Sequence, residues 1–389
     1  MPINFENTEI AFSSQSNSEL KQAHLLFSAM GNPLLTKIGI QCTNLAFKFR
    51  LPIKGIVKST IFKQFCGGET LEEADVTAQK LNQFGVDVIM DYGVEGKSDE
   101  SVFDATVDDF IKTIHFSKDK KYIPFISMKI TGFCRFELLE MVQEGKLLST
   151  ELQQEFDRVW TRVDKICKQA HDSNKMILID AEESWIQKPI DDLANAMMEK
   201  YNKERVVVFN TFQLYCHDRF EYLKTSYELS RQKNFLLGAK LVRGAYMEKE
   251  RARAAQLNYA SPIQVDKEST DKDYNLAVDF CLHNLTSMAV FIGTHNDNSC
   301  LLATQKMEQL SIPKNTNQVH FSQLFGMSDN ISFNLAKEGY HVSKYLPYGP
   351  VEDVIPYLMR RAQENTSVAG QTGRELALIT KEFKRRKNK

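Results

Sequence analysis

Eight short β-rich runs, separated by longer amphipathic stretches, restrict this chain to a small set of folds. They are "VDVIMDYG" (86–93), "PFISMKITG" (124–132), "MILIDAE" (176–182), "RVVVFNTFQ" (205–213), "LGAKLVRGAY" (237–246), "MAVFIGTHN" (288–296), "QVHFSQLFG" (318–326) and "HVSKYLPYG" (341–349). Strand and helix in alternation argue for a parallel sheet. The intervening "STELQQEFDRVWTRVDKICKQAHDSN" and "KPIDDLANAMMEKYNKE" are helix-like, and the second is expected to begin at Pro189, with two aspartates in its first turn. Eight such units point to an α/β fold of the (β/α)8 TIM-barrel type. An open doubly wound sheet is the rival. It would more often show a Gly-rich fingerprint after its first strand, and "DYGVEGKS" is not one.

A barrel accounts for most of the 389 residues. Residues 1–85 are polar and helical in pattern and are expected to form an arm, with "LEEADVTAQKLNQFGV" a helix ending near Gly85. Residues 86–370 would form the barrel, and residues 371–389, ending in "KEFKRRKNK", a basic tail. The net charge of −1 gives no general attraction to nucleic acid. No apolar run is long enough to span a bilayer. The start "MPINFENTEI" has neither a secretory nor an Arg-rich transit pattern, so a cytoplasmic chain is expected. Seven scattered cysteines without a CxxC pair read as reduced thiols. With no HExxH and no Cys/His cluster, no metal site is expected; GxSxG and the Walker loop are also absent.

Active sites in these barrels lie at the C-terminal ends of the strands. Here those ends carry Lys129; Asp180 and Glu182; Asn210 and Gln213; Lys240 and Arg243, followed by Gly244 and Tyr246; Thr294, His295 and Asn296; Gln323; and Tyr345 with Tyr348. Parallel strands are otherwise apolar, and buried ionisable groups are costly unless paired or functional. Each residue has a plain structural explanation. Asp180 would cap the next segment, His295 would be a satisfied buried histidine, and Lys129 would be paired. Lys240 and Arg243, three apart, point to opposite faces of a strand, so one of them would face a helix. The convergence of so many polar groups on one rim is what structural pairing alone does not require.

The last helix-like segment adds a second pattern. At about 100° per residue, Tyr357, Arg360, Arg361 and Glu364 fall within an arc of roughly 100°. Glu364 pairing with either arginine is one reading. The other is a carboxylate clamp, because guanidinium forks bind carboxylates in bidentate fashion. Tyr357 would then cover the apolar body of a small ligand.

"KLVRGAYMEKERARA", "GTHN" and "YLPYGPVEDVIPYLMRRAQEN", with "ISMKITG", "LIDAEE" and "VFNTFQ" in the same order, resemble the proline dehydrogenase family over roughly residues 85–370. The combination is highly specific and is closest to the single-function branch. The resemblance implies a distorted barrel with FAD at the strand C-termini and the last helix over the barrel mouth. It implies that Arg360 and Arg361 bind the proline carboxylate with Lys129 as a third cation, and that Asp180 braces them. Tyr246, Leu324, Tyr345 and Tyr357 would wall the substrate ring. Lys240 would stand near the flavin N5, where many relatives carry Arg. Asn210, Val242, Arg243, Gly244, Ala245, Thr294, His295, Asn296, Gln323 and Glu364 would contact FAD. Met247 stands where some relatives place a Trp that stacks on adenine, so adenine packing would differ.

The implied reaction is oxidation of L-proline to Δ1-pyrroline-5-carboxylate by hydride transfer to FAD. Electrons would pass to a membrane quinone, and the basic tail would give peripheral membrane contact. Hydroxyproline dehydrogenase is the nearest alternative. It would share fold and cofactor, but Tyr345 supplies bulk where hydroxyproline enzymes tend to be smaller. A Schiff-base lyase using Lys129 or Lys240 and a non-enzymatic RNA-binding module are more distant readings.

Overall fold

A computed structural model describes residues 3–49, 52–93, 99–367 and 371–388. The chain opens with helices: α1 (Thr8–Ala11), α2 (Asn17–Met30), α3 (Pro33–Lys48) and α4 (Lys54–Val57), the last running through a π turn at Lys58–Phe62 into α5 (Lys63–Phe65). Then come α6 (Leu71–Asn82), β1 (Asp87–Tyr92), α7 (Glu100–Ser117), β2 (Phe125–Met128), α8 (Phe136–Gln143), α9 (Thr150–Asp172), β3 (Met176–Ile179), α10 (Ser184–Tyr201), β4 (Val208–Gln213) and α11 (Arg219–Gln232). The second half contains β5 (Leu237–Val242), α12 (Met247–Leu257), α13 (Lys267–His283), β6 (Met288–Gly293), α14 (Asp297–Gln309), β7 (Val319–Leu324), α15 (Asp329–Lys337), β8 (Val342–Tyr348), α16 (Val351–Ser367) and α17 (Gln371–Lys387). The strands follow one another as a closed parallel barrel in sequence order, β1 to β8. All eight β-rich runs are strands, and the open-sheet alternative is excluded.

Local chemistry sets many boundaries. Ser16 and Glu19 form a reciprocal capping box on α2, and Thr70, Ser149 and Asp266 cap α6, α9 and α13 through their side chains. Gly85 closes the α6 segment with φ +76, a conformation that suits glycine. One expected boundary is corrected. α10 begins at Ser184, so Pro189 lies inside the helix and not at its start. The first turn has no use for the missing proline N–H, but further in, the ring removes one backbone bond.

The chain divides into two compact units, Gly96–Ser322 and Met1–Glu95 with Gln323–Lys389. In the first, Phe125, Phe209 and Phe291 from alternate strands β2, β4 and β6 meet edge to face, with ring centroids 5.1–6.5 Å apart, and His320 joins them. Layers from alternate strands are how such barrels fill their interior. In the second, α2, the π turn, α16 and α17 share a core that includes Phe27, Phe62, Tyr357, Leu358 and Ile379.

Residues 371–387, expected from composition as part of a basic tail, form α17. Glu375 on it is buried, and its carboxylate accepts the Ser328 N–H at 2.6 Å. Beside Ser328, Asp329 pairs at 2.7 Å with Lys344 of β8, whose side chain is fully buried. Burial pushes the Glu375 carboxyl up to about 7, against the pull of the Ser328 N–H. Arg385 pairs with Glu382 and Glu9, and Arg386 with Glu382, Asn17 and the Phe12 carbonyl.

Candidate active site

Within Gly96–Ser322 the strand register decides which rim residues face inward. Lys240 on β5 stands level with Thr211 of β4 and Phe291 of β6, on the face that carries the aromatic layer. Its ammonium donates to Asp180 Oδ1 at 2.6 Å, and Ser127 Oγ donates to the same oxygen at 2.9 Å. Both members of the pair are buried. Asp180 is the residue after β3, and its own N–H donates to the Met128 carbonyl at the end of β2.

Arg243, an odd number of residues from Lys240, points the other way. Its Nε donates to Asp271 of α13 at 2.7 Å, Nη1 to Thr294 Oγ1 at 2.7 Å and Nη2 to Ser299 Oγ of α14 at 3.0 Å. The guanidinium also lies 4.3 Å from the centre of the Tyr274 ring. Parity of the pleat therefore separates the two cations of "KLVR", one toward the interior and one toward the helix layer. Asn210 is turned outward by the same parity. Its amide donates to Asp191 of α10 at 2.9 Å, an aspartate that also holds Arg219 at 2.8 Å.

Lys129 follows β2 directly and is half-buried. Its charge acts on Glu182, which is buried and accepts both the N–H and the hydroxyl of Thr131, at 3.0 and 2.5 Å. Thr294 Oγ1 accepts from the Asn296 N–H as well as from Arg243, and Asn296 caps α14 through Ser299 N. His295 between them is half-buried. Val242 ends β5, Gly244 and Ala245 are exposed, and half-buried Tyr246 precedes α12, whose first residue is exposed Met247. Gly244 has φ +141, and a Cβ there would lie 2.4 Å from the Tyr215 ring.

Within the other unit, Gln323 and Leu324 end β7; the Gln323 amide oxygen accepts from Ser332 Oγ at 2.7 Å, and Leu324 packs on the core that contains Tyr357. Tyr345 of β8 is 8% exposed and level with Ile89 of β1. On α16, Tyr357 and Arg361 are both buried, and the guanidinium carbon lies 5.3 Å from the tyrosine ring centre. Their four-residue spacing puts them on one face, as the angular arithmetic requires. Arg360 is half-buried beside them. Glu364 belongs to α16, but its side chain lies outside the described residues.

Sequence reasoning named Glu182 without a role and missed Asp271, Tyr274 and Ser299. Glu182 carried a signal, a second carboxylate two residues after Asp180. The other three sit on helices, in no rim motif. Burial pushes the Glu182 carboxyl up to about 7, while Thr131 and Lys129 oppose the rise. The folded chain therefore keeps a proton that the unfolded chain releases once pH passes about 4.5, so this group's stabilisation is full below that value and lost as pH rises through about 7. Glu182→Gln can still accept the Thr131 N–H through its amide oxygen and donate from its NH2 to the Thr131 hydroxyl, and it removes this dependence. Thermal melts between about pH 5 and about pH 8 should fall less steeply in the variant, with a gain of a few kcal/mol at most at the upper end.

Among the described residues no group of three metal-ligating side chains converges, and no helix is long and apolar enough to cross a membrane. Known proteins supply the remaining observation. The family model for proline dehydrogenase matches residues 74–374. This chain belongs to the proline dehydrogenase family. It is 32% identical to proline dehydrogenase 1, mitochondrial, of Dictyostelium discoideum, over 98% of this chain and 74% of that protein. It is 31% identical to hydroxyproline dehydrogenase of Xenopus laevis, over 96% and 88%. It is 33% identical to the carbapenem antibiotics biosynthesis protein CarD of Pectobacterium carotovorum, over 86% of each. Among solved structures, proline utilization A of Bdellovibrio bacteriovorus inactivated by N-propargylglycine superposes with a TM-score of 0.73 at 17% identity. The match covers 95% of this chain and 40% of that one, and it shows the shared barrel fold.

Proposed function

We propose that this member of the proline dehydrogenase family oxidises L-proline to Δ1-pyrroline-5-carboxylate, with FAD as cofactor and a membrane quinone as electron acceptor. The observation that carries the reading is the buried Arg361 guanidinium held against Tyr357 on α16. A fixed planar cation beside an aromatic wall suits a small zwitterion with a carboxylate at one end and an apolar ring at the other.

FAD, when bound, supplies the hydride acceptor. The residues present fit such a group. At exposed Gly244 the backbone carries no side chain, and the Tyr215 ring behind it leaves no room for one. A bare backbone segment of this kind admits close approach by a flat or phosphate-bearing ligand. Arg243, with all three guanidinium nitrogens engaged, fixes the β5 exit on which Val242, Gly244 and Ala245 are displayed. The other groups proposed to hold it are Lys240, Thr294, His295, Asn296, Gln323 and Glu364; Asn210, expected among them, has its amide turned to Asp191 instead.

Arg360, Arg361 and Lys129 bind the substrate carboxylate, and Asp180 fixes the Lys240 ammonium. Tyr246, Leu324, Tyr345 and Tyr357 limit the ring. This orientation lowers the entropic part of the barrier, and the fixed positive charges favour the electron-rich product state.

The relative named as a hydroxyproline dehydrogenase keeps that substrate as the second reading. The bulk of Tyr345 favours proline. The kcat/KM for L-proline should exceed that for hydroxyproline by about two orders of magnitude, and Tyr345→Ser should narrow the ratio about tenfold by admitting the hydroxyl. A wild-type preference for hydroxyproline would reverse the assignment. N-Propargylglycine should inactivate the enzyme, and proline should protect it.

A further inference from the structure

The N-terminal helices carry a surface that the proposed oxidation does not use. Between Leu20 and Gly68 the chain has seven Lys or Arg residues and no Asp or Glu, although the whole protein has a net charge of −1. The same stretch concentrates large apolar side chains left in solvent. Leu34, Leu35, Ile38, Leu45, Phe49 and Ile56 range from 47% to 66% exposed.

The geometry of α3 makes this arrangement specific. With Thr36, which is buried, set at zero, partly buried Ile40 falls at about +40° and half-buried Thr43 at about −20°. Leu34, Ile38 and Leu45 fall at about 160°, 200° and 180°, an arc of roughly 40° on the opposite side. α3 therefore packs by one face and presents a second apolar ridge to solvent, flanked by exposed Lys37. An ordinary surface helix has one apolar face and a polar outer one. Exposed apolar ridges of this kind mark interaction surfaces.

We propose that the α2–α4 arm docks on an anionic lipid surface, with the Leu34–Ile38–Leu45 ridge entering the headgroup boundary. Helices that lie in a membrane interface combine an apolar ridge with basic neighbours. The charge pattern favours lipid over a second copy of this chain. A two-fold contact through the ridge would bring two acid-free, basic stretches together. Among the described residues of the arm, Lys54 and Lys58 are bridged to Glu69, and Lys21, Lys37 and Lys63 are exposed cations. The C-terminal run is less suited to the task, since Arg385 and Arg386 are committed to Glu382 and to the α1–α2 region. α3 packs against α16, so docking would bear on the helix that carries Tyr357 and Arg361. The inference takes from the proposed function only the reason a membrane matters, a quinone acceptor.

Flotation with vesicles of phosphatidylglycerol and phosphatidylcholine tests it without turnover. The wild-type protein should float with these vesicles, much less with pure phosphatidylcholine, and less as salt is raised. The triple variant L34E/I38E/L45E should lose more than about tenfold in bound fraction, while its proline oxidation with a soluble dye stays at the wild-type rate. Lys37→Glu should weaken flotation in the same direction, and the pair K384E/K387E much less. Flotation of the triple variant at the wild-type level would overturn the proposal. So would loss of flotation in K384E/K387E alone, or a wild-type dimer that the triple variant converts to monomer without any vesicle binding. Failure of the dye assay in the wild-type protein would instead count against proline oxidation and leave the flotation result intact.

Discussion

Replacing Arg361 by Met is expected to raise the KM for L-proline about a hundredfold. Charge-assisted bonds from a guanidinium to a carboxylate are worth roughly 1.5–3 kcal/mol, and a tenfold change in binding corresponds to about 1.4 kcal/mol. Met occupies much of the same volume, and the site is buried, so the packing around Tyr357 should survive. Arg361→Lys should recover only part of the loss, because an ammonium is a point charge and cannot form the planar fork. Steady-state kinetics with the FAD-loaded enzyme would check both. If Arg361 were present only to neutralise Glu364, Arg361→Met would lower the melting temperature and leave KM unchanged.

The second large effect is on stability. Asp180→Ala leaves the buried Lys240 ammonium without its carboxylate partner, and removal of one member of a buried ion pair typically costs about 3–5 kcal/mol. In a chain of this size that should lower Tm by about 5–10 °C. The double variant D180A/K240M should recover most of the loss, since an apolar pair of similar volume is often as stable as the ion pair. Activity separates the structural from the functional contribution. The double variant should be folded yet severely impaired in proline turnover. A double variant that is both stable and fully active would mean that the pair serves the fold alone.

The barrel was legible because its signal is repetitive. Each of the eight strands is a short apolar run with polar residues at its C-terminal end, and no single misread run would have changed the result. The shared face of Tyr357 and Arg361 was legible because helical geometry fixes it once the helix is recognised. The division of labour between Lys240 and Arg243 was only half legible. Their spacing predicts opposite faces, but the partners, Asp180 for one and Asp271, Thr294 and Ser299 for the other, lie from 28 to 60 residues away. Asn210 sits at a strand end that looks like rim, and only the register with β5 shows that its amide is turned to Asp191. Lys344 drew no attention within "HVSKYLPYG", although it is fully buried and pairs with Asp329, because nothing local distinguishes it from a surface lysine. The basic C-terminal run read as a tail since composition does not reveal that Glu375 and Ile379 are buried.

The central claim is tested most directly by mixing the purified, FAD-loaded protein with L-proline in the absence of oxygen and recording the visible spectrum. The protein should be yellow, and its flavin absorbance should bleach on addition of L-proline, far more slowly in Arg361→Met at the same substrate concentration. A protein that takes up no flavin when FAD is supplied, or that binds flavin and stays yellow with saturating L-proline, would contradict it.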